Sequence, residues 1–198
     1  MTSRIEPLLT IADLEAMPED DGNRYELIEG ELFVSRSPGL THQIVSDNIL
    51  YLFRSFLDKE PIGTVVTTIG LILSNYSGVI PDLVFFKRES TRRIVSGERL
   101  TSAPELVIEI LSPGSANIRR DRVAKHRLYG KYHVPEYWLV DRDEKRVEIY
   151  RLHESELELH AILESNDVVT TPVLPGFSCL VEEIFRLPPE FEFPSEPL

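Results

Sequence analysis

PELVIEILSPGSANIRRDRVAKHRLYGKYHVPEYWLVD, residues 104–141, decides the fold. It opens on an apolar run, passes through a polar turn into a basic segment, and closes on a second apolar run. In the first run Leu106, Val107, Ile108, Ile110 and Leu111 surround one acid, Glu109. Apolar residues on both parities mark a strand covered on both faces, as in the middle of an α/β sheet. A carboxylate there is costly to bury without a partner. Either Glu109 lies at the strand's open end or a cation holds it.

The next segment supplies a candidate cation. Asp121 to Tyr132 is a predicted helix, with Ser112, Ser115 and Asn117 giving turn and cap chemistry ahead of it. Ala124, Leu128 and Tyr132 recur at i, i+4 and i+8 as its apolar stripe, widened by Tyr129. At about 100° per residue Lys125 falls inside that stripe and is expected to face the sheet. Arg120, Arg127 and Lys131 line one flank of it. Two readings of Lys125 stand side by side. One is a partly exposed Asp121–Lys125 pair one turn apart; the other sets Lys125 over Glu109 in a single site.

Outward from this stretch, Ile11 to Met17 reads as a short helix capped by Thr10. RYELIEGELFVSRS then reads as a β-hairpin turning at Glu29-Gly30. Glu26 within it and the later His42 are polar residues in places that bury easily. His42 to Asp58 is a predicted helix with a stripe of Val45, Ile49, Leu52, Phe53 and Phe56. Val65 to Ser74 reads as one strand, Asn75 to Gly78 as a turn, and Pro81-Asp82 as the entry to the strand LVFF. Asp82 thus stands at the mouth of an apolar strand, although a turn or cap aspartate would look the same. Residues 87–103 form a polar, basic connection. After His133-Val134-Pro135 ends the helix, Glu136 to Asp141 is a strand, Arg146 to Leu152 an edge-like one, and Leu157 to Ile162 a further one. Leu174 to Phe185 reads as a loop entering a short helix. The whole is an α/β (α+β) domain: a mixed sheet through residues 65–73, 82–86, 105–111 and 136–141, with helices 42–58 and 121–132 packed on it.

A chain of 198 residues suits one domain, 1–186, with a proline-rich acidic tail over 187–198. The single cysteine, Cys179, excludes an internal disulfide and a cysteine metal cage. The N-terminal residues lack a signal-peptide pattern and no apolar run nears the roughly 20 residues of a bilayer span, so a cytoplasmic, non-membrane setting is expected. The net charge of −12 is unevenly spread. Residues 1–31 carry nine acids and two bases, and residues 153–198 ten acids and one base. Residues 32–152 carry fourteen acids and eighteen bases, a net of +4. The bases gather in two clusters, Lys87, Arg88, Arg92, Arg93 and Arg99, then Arg119, Arg120, Arg122, Lys125, Arg127 and Lys131. Such runs are solvated faces or a surface for a phosphate backbone.

Two carboxylates at neighbouring strand ends suit a hard divalent cation, and Mg²⁺ takes one or two carboxylates plus water and phosphate oxygens. A lysine beside them can orient the attacking water or stabilise charge developing on phosphate. With a basic rim, the set points to phosphodiester hydrolysis. A serine hydrolase built on Ser112 or Ser115 lacks a nucleophile elbow, and no P-loop or dinucleotide glycine pattern is present.

The order Pro-Asp, acid within an apolar strand, inward lysine resembles the Uma2-like endonucleases, formerly a domain of unknown function, of the PD-(D/E)XK superfamily. The resemblance runs from about Tyr25 to Tyr150 and rests on YELIEGEL at 25–32, His42, PDLVFF at 81–86, PELVIEILSPGS at 104–115, Asp121 with Lys125, and VPEYWLVD at 134–141. It implies a restriction-endonuclease-like sheet flanked by helices, and Mg²⁺ or Mn²⁺ held by Asp82, Glu109 and the backbone carbonyl of Ile110. Lys125 would be the catalytic lysine, since the superfamily's usual position, two residues after the second acid, is Leu111 here. Glu26, His42 and Asp121 would support the site. Arg88, Arg92, Arg93, Arg119, Arg120, Arg127 and Lys131 would meet nucleic acid, DNA by preference, and pairing into a homodimer would be in keeping. One departure is His133, where the family commonly has glycine. The competing reading is a catalytically silent module that keeps the fold for nucleic-acid binding or protein assembly.

Overall fold

The protein is described here by a computed structural model covering residues 7–18 and 21–191. Helix α1 (Ile11–Glu15) begins at a capping box: the Asp13 carboxylate accepts the Thr10 backbone N–H at 2.8 Å while the Thr10 hydroxyl accepts from the Asp13 amide. Strands β1 (Asn23–Ile28) and β2 (Glu31–Arg36) form the expected hairpin. Its two-residue turn needs positive φ at both positions, and Glu29 and Gly30 adopt +51° and +83°. Helix α2 (Leu40–Leu57) buries Val45, Ile49 and Phe53 along the predicted stripe.

The predicted strand from Val65 to Ser74 is in fact two, β3 (Gly63–Thr67) and β4 (Leu71–Ser74). Thr68 takes φ +50°, its amide donates to the Asp82 carbonyl at 3.1 Å, and the chain crosses from one sheet to another. The corner is hidden because the apolar residues on either side of Thr67-Thr68 are half-buried or buried, each half in its own sheet. Strands β5 (Ser77–Val79) and β6 (Leu83–Lys87) follow, with Ser77 and Gly78 already in strand rather than turn. The polar connection contains α3 (Thr91–Ile94), β7 (Val95–Ser96) and β8 (Arg99–Leu100).

Strand β9 (Leu106–Ile110) leads to the key helix, which starts earlier than the sequence suggests. It runs as α4 (Ser115–Arg119), a π-helical stretch (Arg120–Lys125) and α5 (His126–Lys131). Asn117, expected as a cap, lies within it and donates its side-chain amide to the Pro113 carbonyl at 2.8 Å. The helix closes on a Schellman motif: the Val134 amide donates to Tyr129 and the His133 amide to Gly130, with His133 left-handed at φ +59°. Strands β10 (Glu136–Asp141), β11 (Arg146–His153) and β12 (Glu156–Glu164) follow, then a small hairpin of β13 (Val168–Thr170) and β14 (Ser178–Leu180), and α6 (Val181–Ile184). Of the expected tail, Pro189–Phe191 form a 3₁₀ turn and 192–198 lie outside the described residues.

One six-stranded sheet has the order β12-β11-β10-β9-β6-β3, with β10 parallel to β9 and the other neighbours antiparallel. It is therefore mixed, as expected; β11 is internal and β12, not β11, forms the edge. A second six-stranded sheet, β2-β1-β5-β4-β8-β7, contains the hairpin. Strand parity then sorts the core. Leu106, Ile108 and Ile110 of β9 join Trp138 and Val140 of β10 in a cluster under α2. Val107 and Leu139 point the other way, into a cluster shared with Leu71, Val79, Leu128 and Tyr129 between the second sheet and the helix. Among the described residues no helix is long and apolar enough to cross a membrane.

Candidate active site

Glu109 has the parity of Val107, so its carboxylate enters the space between the main sheet and the helix. It is almost fully buried. Lys125 reaches it there, with Nζ 2.8 Å from Glu109 Oε1 and 2.8 Å from Glu26 Oε1. Its distance to Asp121 Oδ1 is 3.9 Å, and Asp121 itself is buried. Lys125 over Glu109 is therefore the arrangement adopted, and the Asp121 pair is an adjunct to it. The Tyr129 hydroxyl also donates to Glu109 Oε1, at 2.7 Å. Both bonds use the same oxygen. Glu26 is locked in turn by the Ile80 amide at 2.8 Å.

Asp82 lies at the adjoining strand ends, close to the carboxyl end of β9. Its Oδ2 accepts the Ile110 amide at 2.8 Å and stands 3.2 Å from His42 Nε2, which is also 3.1 Å from the Ile110 carbonyl. Arg24 approaches Oδ1 at 3.4 Å. The His42 Nδ1 is buried and, among the described residues, has no hydrogen-bond partner. Asp82, His42, Ile110, Arg24 and Arg120 line a cleft of about 360 Å³.

Electrostatics separates the two acids. Burial pushes the Glu109 carboxyl up, to about 8, and the charges of Asp82, Asp121 and Glu26 add to that against the pull of Lys125. Burial also works against charge on Asp82, yet the hydrogen bond and charge of His42 and the Ile110 amide outweigh it and hold the group below its ordinary value. Glu26 is lowered likewise, because Lys125 and Arg120 overcome its burial. Burial opposes the Lys125 ammonium, but Glu109, Glu26 and Asp121 together keep it protonated beyond its ordinary range. The two strand acids are thus pushed in opposite directions, Glu109 towards its protonated form by burial and Asp82 towards its charged form by its partners.

Four buried carboxylates, Glu26, Asp82, Glu109 and Asp121, face two buried cations, Lys125 and Arg120. Among the described residues no three of His, Cys, Asp and Glu converge as a ready metal cage. Asp82 and Ile110 line the cleft and offer the oxygen donors a hard divalent ion takes, whereas Glu109 and Lys125 are buried and are not among its lining residues. Such an ion would replace the His42 contact at Asp82.

Arg120 departs from the expected basic rim. Its Nε donates to Asp121 at 2.8 Å and its Nη1 lies 3.5 Å from Glu26, so it is a buried member of the cluster. Arg119, Arg127 and Lys131 are exposed on the helix, Lys131 paired with Glu29 at 2.6 Å. Arg88, Arg92 and Arg93 are exposed too, but they follow the far end of β6, where the Lys87 amide meets Glu105. Since β6 and β9 are antiparallel, that is the end away from Asp82. Two participants escaped the sequence reading. Arg24 precedes Glu26 by two, and strand period alone sets both on one face. Tyr129 was counted only as apolar stripe, although a buried tyrosine hydroxyl seeks a partner.

The sequence profile of the Uma2 family, described as "Putative restriction endonuclease", matches residues 11–182. Among solved structures, a "putative nuclease belonging to DUF820" from Anabaena variabilis ATCC 29413 aligns with a TM-score of 0.70 at 22% identity, over 89% of this chain and 97% of that one. At this identity the likeness is one of fold. No curated protein matches the chain.

Proposed function

The chain belongs to the Uma2 family, and from that premise we propose that its charged cleft hydrolyses phosphodiester bonds of DNA with Mg²⁺ or Mn²⁺. Asp82, Glu109 and the Ile110 carbonyl would hold the ion. The observation that carries the reading is the buried Lys125 ammonium set 2.8 Å from Glu109 although it comes from the following helix. A fixed cation beside a strand acid is what a developing phosphoryl charge requires. The ion, when bound, neutralises charge on a phosphoryl oxygen and lowers the pKa of its water. The chain's own groups do the rest. Asp82 stays ionised, held by the Ile110 amide. Glu26 and Glu109 grip Lys125 from two sides, so its ammonium cannot swing away. Tyr129 fixes Glu109 through Oε1 and leaves Oε2 outside both bonds.

Plasmid DNA incubated with the pure chain should be nicked with Mg²⁺ or Mn²⁺ and stay intact in EDTA. Asp82→Asn and Lys125→Met should each lower the rate by about 100-fold or more, with melting curves showing that both variants fold. Nicking that ignores metal, or that survives both substitutions, defeats the proposal. One observation favours a second reading, a silent module: Asp82 is taken up by the Ile110 amide and His42, and Glu109 by Lys125 and Tyr129, so the two acids have separate protein partners. DNA binding without nicking under every metal would select it.

A further inference from the structure

A second cleft, of about 730 Å³, adjoins the first. It lies between α1 and the face formed by β1, β5 and β4, and Arg24, Ser37 and Pro38 line both clefts. Its volume falls in the range of about 300–1,000 Å³ typical of small-molecule sites. Leu14, Ile72 and Ile80 give it half-buried apolar walls, and Tyr25 adds a half-buried ring. At the mouth Arg99 of β8 pairs with Glu15 at the end of α1, so one exposed ion pair bridges the walls. Beside that pair the wall is open at Gly70: a Cβ there would meet nothing closer than the Arg99 aliphatic carbons, at 3.7 and 3.9 Å. Three features point to the occupant. Apolar walls with an aromatic ring suit the flat face of a base. Arg24 stands at the junction, where a phosphate linking the two clefts would pass, and arginine is the residue that positions phosphate. The cleft shares Arg24, Ser37 and Pro38 with the one that contains Asp82.

We propose that this second cleft receives one unstacked nucleoside of the substrate strand, adjacent to the phosphate that Arg24 positions at the cleft containing Asp82. The proposal rests on the nuclease reading, because the strand it binds is the one that reading cuts. It implies that the substrate is single-stranded or opened at the cut, since a base stacked within a duplex cannot enter a pocket.

The test uses the full chain and a labelled single-stranded hexanucleotide, with binding followed by fluorescence anisotropy in EDTA so that metal-dependent cutting plays no part. Six further hexanucleotides each carry one abasic site. The expected result is one position at which removing the base weakens binding about tenfold or more, the rest binding like the intact strand. Gly70→Phe, which fills the cleft without touching the Asp82 site, should weaken the intact strand by a similar factor and erase that position's penalty. Leu14→Trp does the same from the opposite wall should Gly70→Phe fold poorly. Equal penalties at all positions, no binding of the intact strand, or a penalty that survives both cleft-filling variants overturns the proposal. The two readings fail separately: a persistent abasic penalty without any metal-dependent nicking rejects the nuclease and keeps the subsite, whereas nicking with no abasic penalty does the reverse.

Discussion

The two faces of β9 and β10 are built to opposite rules. Under α2 the face is dry: Phe53 meets Trp138 edge-on with ring centroids 5.6 Å apart and Phe177 at 4.6 Å, and Leu106, Ile108 and Ile110 fill the space beside them. On the reverse face, one residue away in register, Glu109 sits among three other carboxylates and the Lys125 ammonium. The dry face gains free energy from area removed from water and from close packing. The ions of the reverse face gain little net, because desolvating them offsets most of their attraction; the packing there comes from Val107, Leu128, Tyr129 and Leu139. A sheet can carry such a face only when the opposite one is packed well. The lesson is a division of labour inside one strand: even residues of β9 pack under α2, and Glu109 is held by the Lys125 ammonium and the Tyr129 hydroxyl.

The largest effect should come from damaging the dry face. Phe53→Ala removes a fully buried ring with two aromatic neighbours, and urea unfolding should show a loss of about 3–5 kcal/mol. If it costs under about 1 kcal/mol, the division between faces is wrong. On the charged face Glu109→Gln keeps shape and the acceptor for Lys125 and Tyr129, and near neutral pH should change stability by less than about 1 kcal/mol, because burial already pushes the carboxyl it replaces towards its neutral form.

The pH profile sharpens the contrast. The folded Glu109 carboxyl titrates near 8 against an ordinary 4.5, so the folded chain keeps a proton that the unfolded chain releases. Its contribution to stability is complete below about 4.5 and is lost as pH climbs to about 8. The metal-free protein should therefore melt progressively lower between pH 5 and pH 8, while Glu109→Gln shows a clearly shallower slope across the same window, the burial-raised Asp121 carboxyl leaving a residual decline. A parallel decline in both would assign the slope to some other group.

How far the sequence revealed this division depends on which face is asked about. Side chains of the dry face announce themselves by period: Val45, Ile49 and Phe53 mark α2, and alternate residues of Leu106 to Ile110 mark its partner strand. Lys125 was legible because charge inside an apolar stripe is anomalous. Arg120 was not, because a π-helical stretch shifts the phase by which its direction would be read, and nothing local in RRDRVAK signals that widening. The corner at Thr68 was hidden because packing, not composition, decides that Val65-Val66 and Leu71-Ile72 enter different sheets. Asp82 and Glu109 could be named as strand-end acids, but their turning to His42 and to Lys125 depends on side chains distant in sequence. Distance along the chain also explains the two basic clusters: similar in composition, they stand at opposite ends of antiparallel strands.

The smallest effect lies at the exit of the helix that bears Lys125. His133 occupies the left-handed position of the Schellman motif, where a Cβ crowds the backbone and glycine is the usual choice. The strain of one such residue is about 1 kcal/mol. His133→Gly should relieve it while giving back part of the gain through the freer unfolded chain, for a net stabilisation of about 0.5 kcal/mol. His133 is exposed and takes no part in the contacts of Lys125 or Glu109. The rise in melting temperature should accordingly come with unchanged nicking rate and an unchanged pH slope. A slower variant would mean that the helix exit sets the position of Lys125 from eight residues away, and that the charged face depends on backbone strain as well as on its ion pairs.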